Sequence, residues 1–183
     1  YDERQMGRLT ALYDGAQRDL KLFAFILLTL CLYRAYFMFY MSDYMMPGTG
    51  TEEIGTALMA GLRLSLKTAG AVALPAFVFC SLPLLISPRF SNMLLSLRLV
   101  WGSLAAFAFA VLFQARFPFY RQYQTGFHMQ VTAGMNEDIP TVFLMLVQEY
   151  GFAWRFALAL LLTVLSIHLL HTLLCVRGTY RLP

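Results

Sequence analysis

Four apolar stretches of membrane-crossing length take up most of this 183-residue chain, running roughly from Leu20 to Met41, Thr56 to Ile86, Asn92 to Phe113 and Phe152 to Val176. A helical span needs about 20 apolar residues, and only a helix or a closed barrel satisfies its backbone within lipid. The pattern predicts an all-α fold: a polytopic membrane helical bundle with four transmembrane helices over residues 20–176. With 59% hydrophobic and 13% charged residues, the chain has too little polar surface to cover an ordinary soluble domain.

Charge placement predicts the orientation. Arg4, Arg8, Arg18 and Lys21 precede the first span, Arg89 and Arg98 flank the turn between the second and third, and Arg177 and Arg181 follow the fourth. The positive-inside rule makes these regions cytoplasmic. The connector from Ser42 to Gly55 carries Asp43, Glu52 and Glu53 without Lys or Arg, and falls outside. The expected protein is multi-pass, with both ends inside. Tyr1 in place of an initiator Met suggests a start within a longer product.

Met6, Leu9, Leu12, Tyr13, Ala16 and Leu20 recur at helical spacing among charges, so residues 1–19 are expected to form an interfacial helix on the cytoplasmic leaflet. The second stretch would be about 46 Å long if fully helical, more than a bilayer core requires, and Pro75 and Pro83 are positioned to kink it. Gly102, Ala106 and Ala110 fall four apart in the third stretch, the small-residue spacing that lets helices approach closely. Residues 114–151 are too apolar for a plain loop and too interrupted for a span. Two interfacial outer helices are expected there, the second starting near Asn136 to Pro140.

Arg34 is the main anomaly, about 14 residues inside the first span, where a cation costs on the order of 2.5–3.5 kcal/mol on insertion scales. In the predicted topology it lies in the outer half, as do Arg63, Lys67, Arg116, Arg121 and Arg155. These six are candidates to bind lipid phosphate, since forked arginine donors match phosphate oxygens. The alternative is that the cations snorkel to the interface or pair with carboxylates. His168 and His171 stand one turn apart, but no neighbouring Cys, Asp or Glu completes a metal site. Cys31, Cys80 and Cys175 all lie inside apolar stretches and are expected to be free, buried thiols. No nucleophile constellation or glycine-rich phosphate loop marks a catalytic centre, and nothing points to nucleic acid.

Three passages carry a family resemblance. ALMAGLRLSLKTAGAVALP at 57–75, ARFPFYRQY at 115–123, and the segment from Phe127 to Tyr150 with Asp138 and its QEYG ending resemble the membrane portion of the lipoteichoic acid synthase family, in the alkaline phosphatase and sulfatase superfamily. In Gram-negative-type members an acidic residue often follows the Gly-Leu-Arg of the first passage, where Leu64 and Ser65 stand here. The resemblance implies a bacterial inner-membrane anchor of five spans and a following extracytoplasmic catalytic domain with a threonine nucleophile and a divalent metal of the Mn or Zn type. That enzyme class transfers a phosphoglycerol-type group from a lipid. Residues 177–183 would then lead to a fifth span and the catalytic domain, and the partners would be anionic phospholipid and that domain. No cofactor is expected within this chain. The alternatives are the membrane domain of a phosphoethanolamine transferase or sulfatase-like hydrolase, a four-span interaction or scaffold protein without a lipid substrate, and a transporter subunit.

Overall fold

The computed structural model describes residues 2–42, 50–85, 90–123 and 152–175, and in these the fold is all-helical. Helix α1 spans Asp2–Tyr40, α2 Thr51–Ala76, α3 Ser91–Tyr123 and α4 Phe152–Cys175; a π-helical turn, Phe77–Ser81, and a 3₁₀ turn, Leu82–Leu85, prolong α2. Four helical segments, Gly7–Tyr40, Thr51–Leu85, Ser91–Pro118 and Ala153–Cys175, are long and apolar enough to cross a membrane. Most large apolar side chains on them remain exposed, Leu28, Leu32, Phe79, Leu161 and Val164 among them. Hydrocarbon is the solvent that suits such faces, since lipid places no premium on burying leucine.

The chain divides into two compact units, residues 1–105 with 167–183, and residues 106–166. In the first, α1 and α2 run antiparallel: Arg34 lies against Gly61, and farther along Asp19 meets Ser81. The first turns of α3 join them where Cys80, Leu84 and Leu94 bury one another with Ala11 beside them. The end of α4 is tied to α1 by Lys21 Nζ, which donates to Leu173 O at 3.2 Å. That carbonyl belongs to the last turn of α4, where cations favour the negative helix end. Gly102 permits a close approach, since a Cβ there would lie 2.5 Å from Leu170 Cδ2 and 3.0 Å from Leu22 Cδ1.

Pro75 explains the irregular end of α2. Lacking an N–H, it cannot complete the helical ladder. The Phe77 N–H is shared between Ala73 O and Leu74 O, the Leu82 N–H reaches back to Phe77 O, and the chain continues as the π-helical turn. The Trp101 indole meanwhile donates to Val72 O at 2.8 Å, supplying a partner from α3 beside the disturbed turn. The kink signal in the sequence thus corresponds to a change of helix type just after Pro75, with Cys80 and Ser81 both turned inward.

In the second unit, Phe113 and Phe117 stand one turn apart on α3 with rings edge to face at 5.1 Å, and both are buried. Residues 2–19 run without a break into the rest of α1, and Gly15 and Asp19 are buried by contacts with Ser81, Leu84 and Arg98. Helix α3 continues past Phe113, through Pro118 to Tyr123, and Phe117 is buried. The interfacial helices expected farther along, over 124–151, lie outside the described residues, as do residues 177–183 and the acidic side chains Asp43, Glu137, Asp138 and Glu149.

Candidate functional site

Two arginines of the first unit define its polar interior. Arg98, on the third turn of α3, is fully buried at 0% exposure and faces Asp19 at 4%. Its Nε donates to Asp19 Oδ1 at 2.6 Å, and its Nη2 donates to Ser81 Oγ at 2.8 Å and more weakly to Asp19 Oδ2 at 3.5 Å. The Ser81 hydroxyl in turn donates to Asp19 Oδ2. Three helical segments thereby close one network of opposite charges and a hydroxyl, leaving only Arg98 Nη1 without a partner. Gly15 makes room for it: a Cβ there would lie 2.8 Å from Ser81 Oγ and 3.1 Å from Arg98 Nη2.

The linear sequence does not show this network: in its own window Arg98 has the look of a basic flank and Asp19 that of one charge in an amphipathic segment. The available signal was that Asp19 and Arg98 each adjoin an apolar run and carry opposite signs.

Arg34, near the other end of α1, is a different case. Its side chain lies across Gly61 of α2, where a Cβ would sit 2.5 Å from Arg34 Cδ and 2.9 Å from Cζ. Among the described residues its buried Nε has no hydrogen-bond partner. One turn along the same face of α2, Ser65 is 1% exposed, and its Oγ likewise has no partner among the described residues. Helical hydroxyls elsewhere in this chain return to the carbonyl four residues back: Thr29, Thr56, Thr68, Ser96, Ser103, Thr163 and Thr172 all do so. That bond is the usual solution in lipid, and Ser65 departs from it.

The other candidate cations are distributed differently. Arg63 and Lys67 are exposed on α2, about 200° around the helix from Gly61 and Ser65, so the structure does not bring them to Arg34. Arg116 is half-buried on α3, and the Arg155 guanidinium lies over the Phe117 ring, 5.6 Å from its centroid, within the second unit. Arg121 falls in the last turn of α3. Glu52 and Glu53 are exposed in the first turn of α2, the helix end that favours negative charge.

His168 and His171 are both exposed, and His171 Nε2 lies 3.6 Å from Cys175 Sγ. Among the described residues, no group of three or more His, Cys, Asp or Glu is placed to hold a metal ion. The thiols are free, but only Cys80 is fully buried; Cys31 is half-buried and Cys175 exposed. In comparisons with known proteins, no family model, no curated protein and no solved structure matches this chain significantly.

Proposed function

We propose that this chain is the membrane domain of a phosphoglycerol-type lipid headgroup transferase, and that it presents an anionic phospholipid at the outer leaflet through Arg34. The observation that carries the reading is the buried Nε of Arg34 seated across Gly61, which, like Ser65 Oγ on the same face of α2, has no partner among the described residues. A membrane-embedded cation generally has a partner. Arg98 finds one within the chain, in Asp19. For Arg34 the complement is an anion from the lipid, whose phosphate would be held in the outer half of the span while its headgroup faces a catalytic domain. Arg63 and Lys67, exposed on the opposite face of α2, would act as a basic surface at the headgroup level rather than as direct ligands.

The alternative is a four-span protein that assembles with a partner through its small-residue face and outer helices; of these, Gly102, Ala106 and Ala110 are buried. Native mass spectrometry of the purified chain tests the lipid half of the proposal: wild type should retain phosphatidylglycerol and Arg34→Met should release it, whereas equal retention would sink the assignment. The transferase half rests on the sequence resemblance. The reading frame of the full gene tests it, since it should encode a fifth span followed by a metal-binding domain with a nucleophilic threonine.

A further inference from the structure

Gly61 and Ser65 share one face of α2, four residues and about 6 Å apart along the helix. That face meets α1, and the Arg34 guanidinium occupies the space a side chain at position 61 would fill. A buried N–H and a buried O–H therefore lie in the same helix seam, neither with a partner among the described residues. Unmade hydrogen bonds of this kind cost on the order of 1–3 kcal/mol each, more for a charged group, and one acceptor entering the seam could relieve both. Around them α2 is apolar and exposed at Leu58, Leu62 and Leu66.

We infer that Arg34 Nε and Ser65 Oγ are the paired donors of one site for the phosphodiester of a glycerophospholipid, with Gly61 as the residue that seats the guanidinium. The inference rests on the lipid-presenting reading above and adds to it the second ligand, the seat and the class of group bound. A phosphodiester carries a single negative charge and two free oxygens, matching one guanidinium charge and two donors. The exposed leucines beside the seam provide a wall for acyl chain, which an inorganic ion would not use.

Gly61 separates this site from a merely basic interface. Alanine at 61 keeps the Arg34 charge but displaces its flexible end from the seat. A lipid attracted only by charge would not notice the change, whereas a lipid held at the seam would.

The test is titration of the purified chain, in zwitterionic lipid nanodiscs, with phosphatidylglycerol, followed by native mass spectrometry for wild type, Ser65→Ala, Ser65→Thr, Gly61→Ala and Arg34→Met. Helix content and elution volume serve as fold controls. One phosphatidylglycerol should bind wild type and Ser65→Thr; Ser65→Ala and Gly61→Ala should each weaken it about tenfold, as expected for losing a charged-group hydrogen bond, and Arg34→Met should abolish it. If Ser65→Ala and Gly61→Ala bind like wild type while Arg34→Met does not, the seam site is overturned and the broader lipid reading stands. If Ser65→Thr is as weak as Ser65→Ala, the hydroxyl is not the donor. Equal binding in all five proteins removes both readings. Displacement of the lipid by millimolar inorganic phosphate would overturn the lipid as occupant in favour of the free ion.

Discussion

Arg98 and Arg34 sit in helices of similar apolar character, and both project into the contact between helices, but their surroundings differ. Arg98 meets a carboxylate and a hydroxyl from two other segments, and its charge is neutralised inside the protein. Arg34 meets a glycine, and among the described residues its Nε has no acceptor. The difference separates an arginine paired within the protein from one whose Nε has no acceptor among the described residues. Mutation should separate them in the same way.

The largest effect belongs to the network. Removing one member of a buried ion pair strands the other, at a cost of about 3–5 kcal/mol. Arg98→Leu or Asp19→Leu should therefore lower resistance to denaturant unfolding in detergent by that amount, and the Asp19→Leu/Arg98→Leu double variant should recover much of it. A double variant no better than the worse single one would mean that packing, not charge, dominates the site. Ser81→Ala comes next. Its hydroxyl accepts from Arg98 and donates to Asp19, and its loss should cost about 1–3 kcal/mol.

A smaller effect attends Trp101→Phe, which removes the donor to Val72 O but keeps an aromatic ring. About 1 kcal/mol is expected. The readout that sharpens the comparison is amide exchange around Pro75: faster exchange there, with the Asp19 region unchanged, would show that Trp101 supports the proline-disturbed turn separately from the ion pair. Uniform destabilisation would mean that the two features form one cooperative unit.

The four spans were legible because hydropathy and length speak directly to the membrane, and Pro75 marked where α2 changes character. The partnership of Asp19 with Arg98 was not, because 79 residues separate them and each has a conventional surface reading in its own window. A charge at the edge of an apolar run looks like a flank until a neighbouring helix covers it. The packing of the first turns of α1 is hidden for the same reason: their amphipathic pattern suits a leaflet surface equally well, and only the fold shows Ala11, Gly15 and Asp19 against the end of α2 and the start of α3. Arg34 stands out from sequence alone by its depth within an apolar run. Its separation from Arg63 and Lys67 follows from helical geometry, which places Gly61 and Ser65, not the basic pair, on the face toward α1.

The smallest stability change should come from Arg34→Met, and its smallness would be informative. Methionine fills much of the same volume across Gly61 and carries no donor to leave unsatisfied, so the variant should lie within about 1 kcal/mol of wild type in lipid-free detergent. The comparison then becomes conditional on lipid. If phosphatidylglycerol binds wild type through Arg34, adding it should raise wild-type stability through mass action and leave Arg34→Met unmoved, opening a gap that grows with lipid concentration. Arg98→Leu, with its site intact at the other end of α1, should remain less stable than wild type at every lipid concentration but still gain from added lipid. A loss in Arg34→Met as large as that in Arg98→Leu, already present without lipid, would place both arginines in the scaffold and erase the distinction between them.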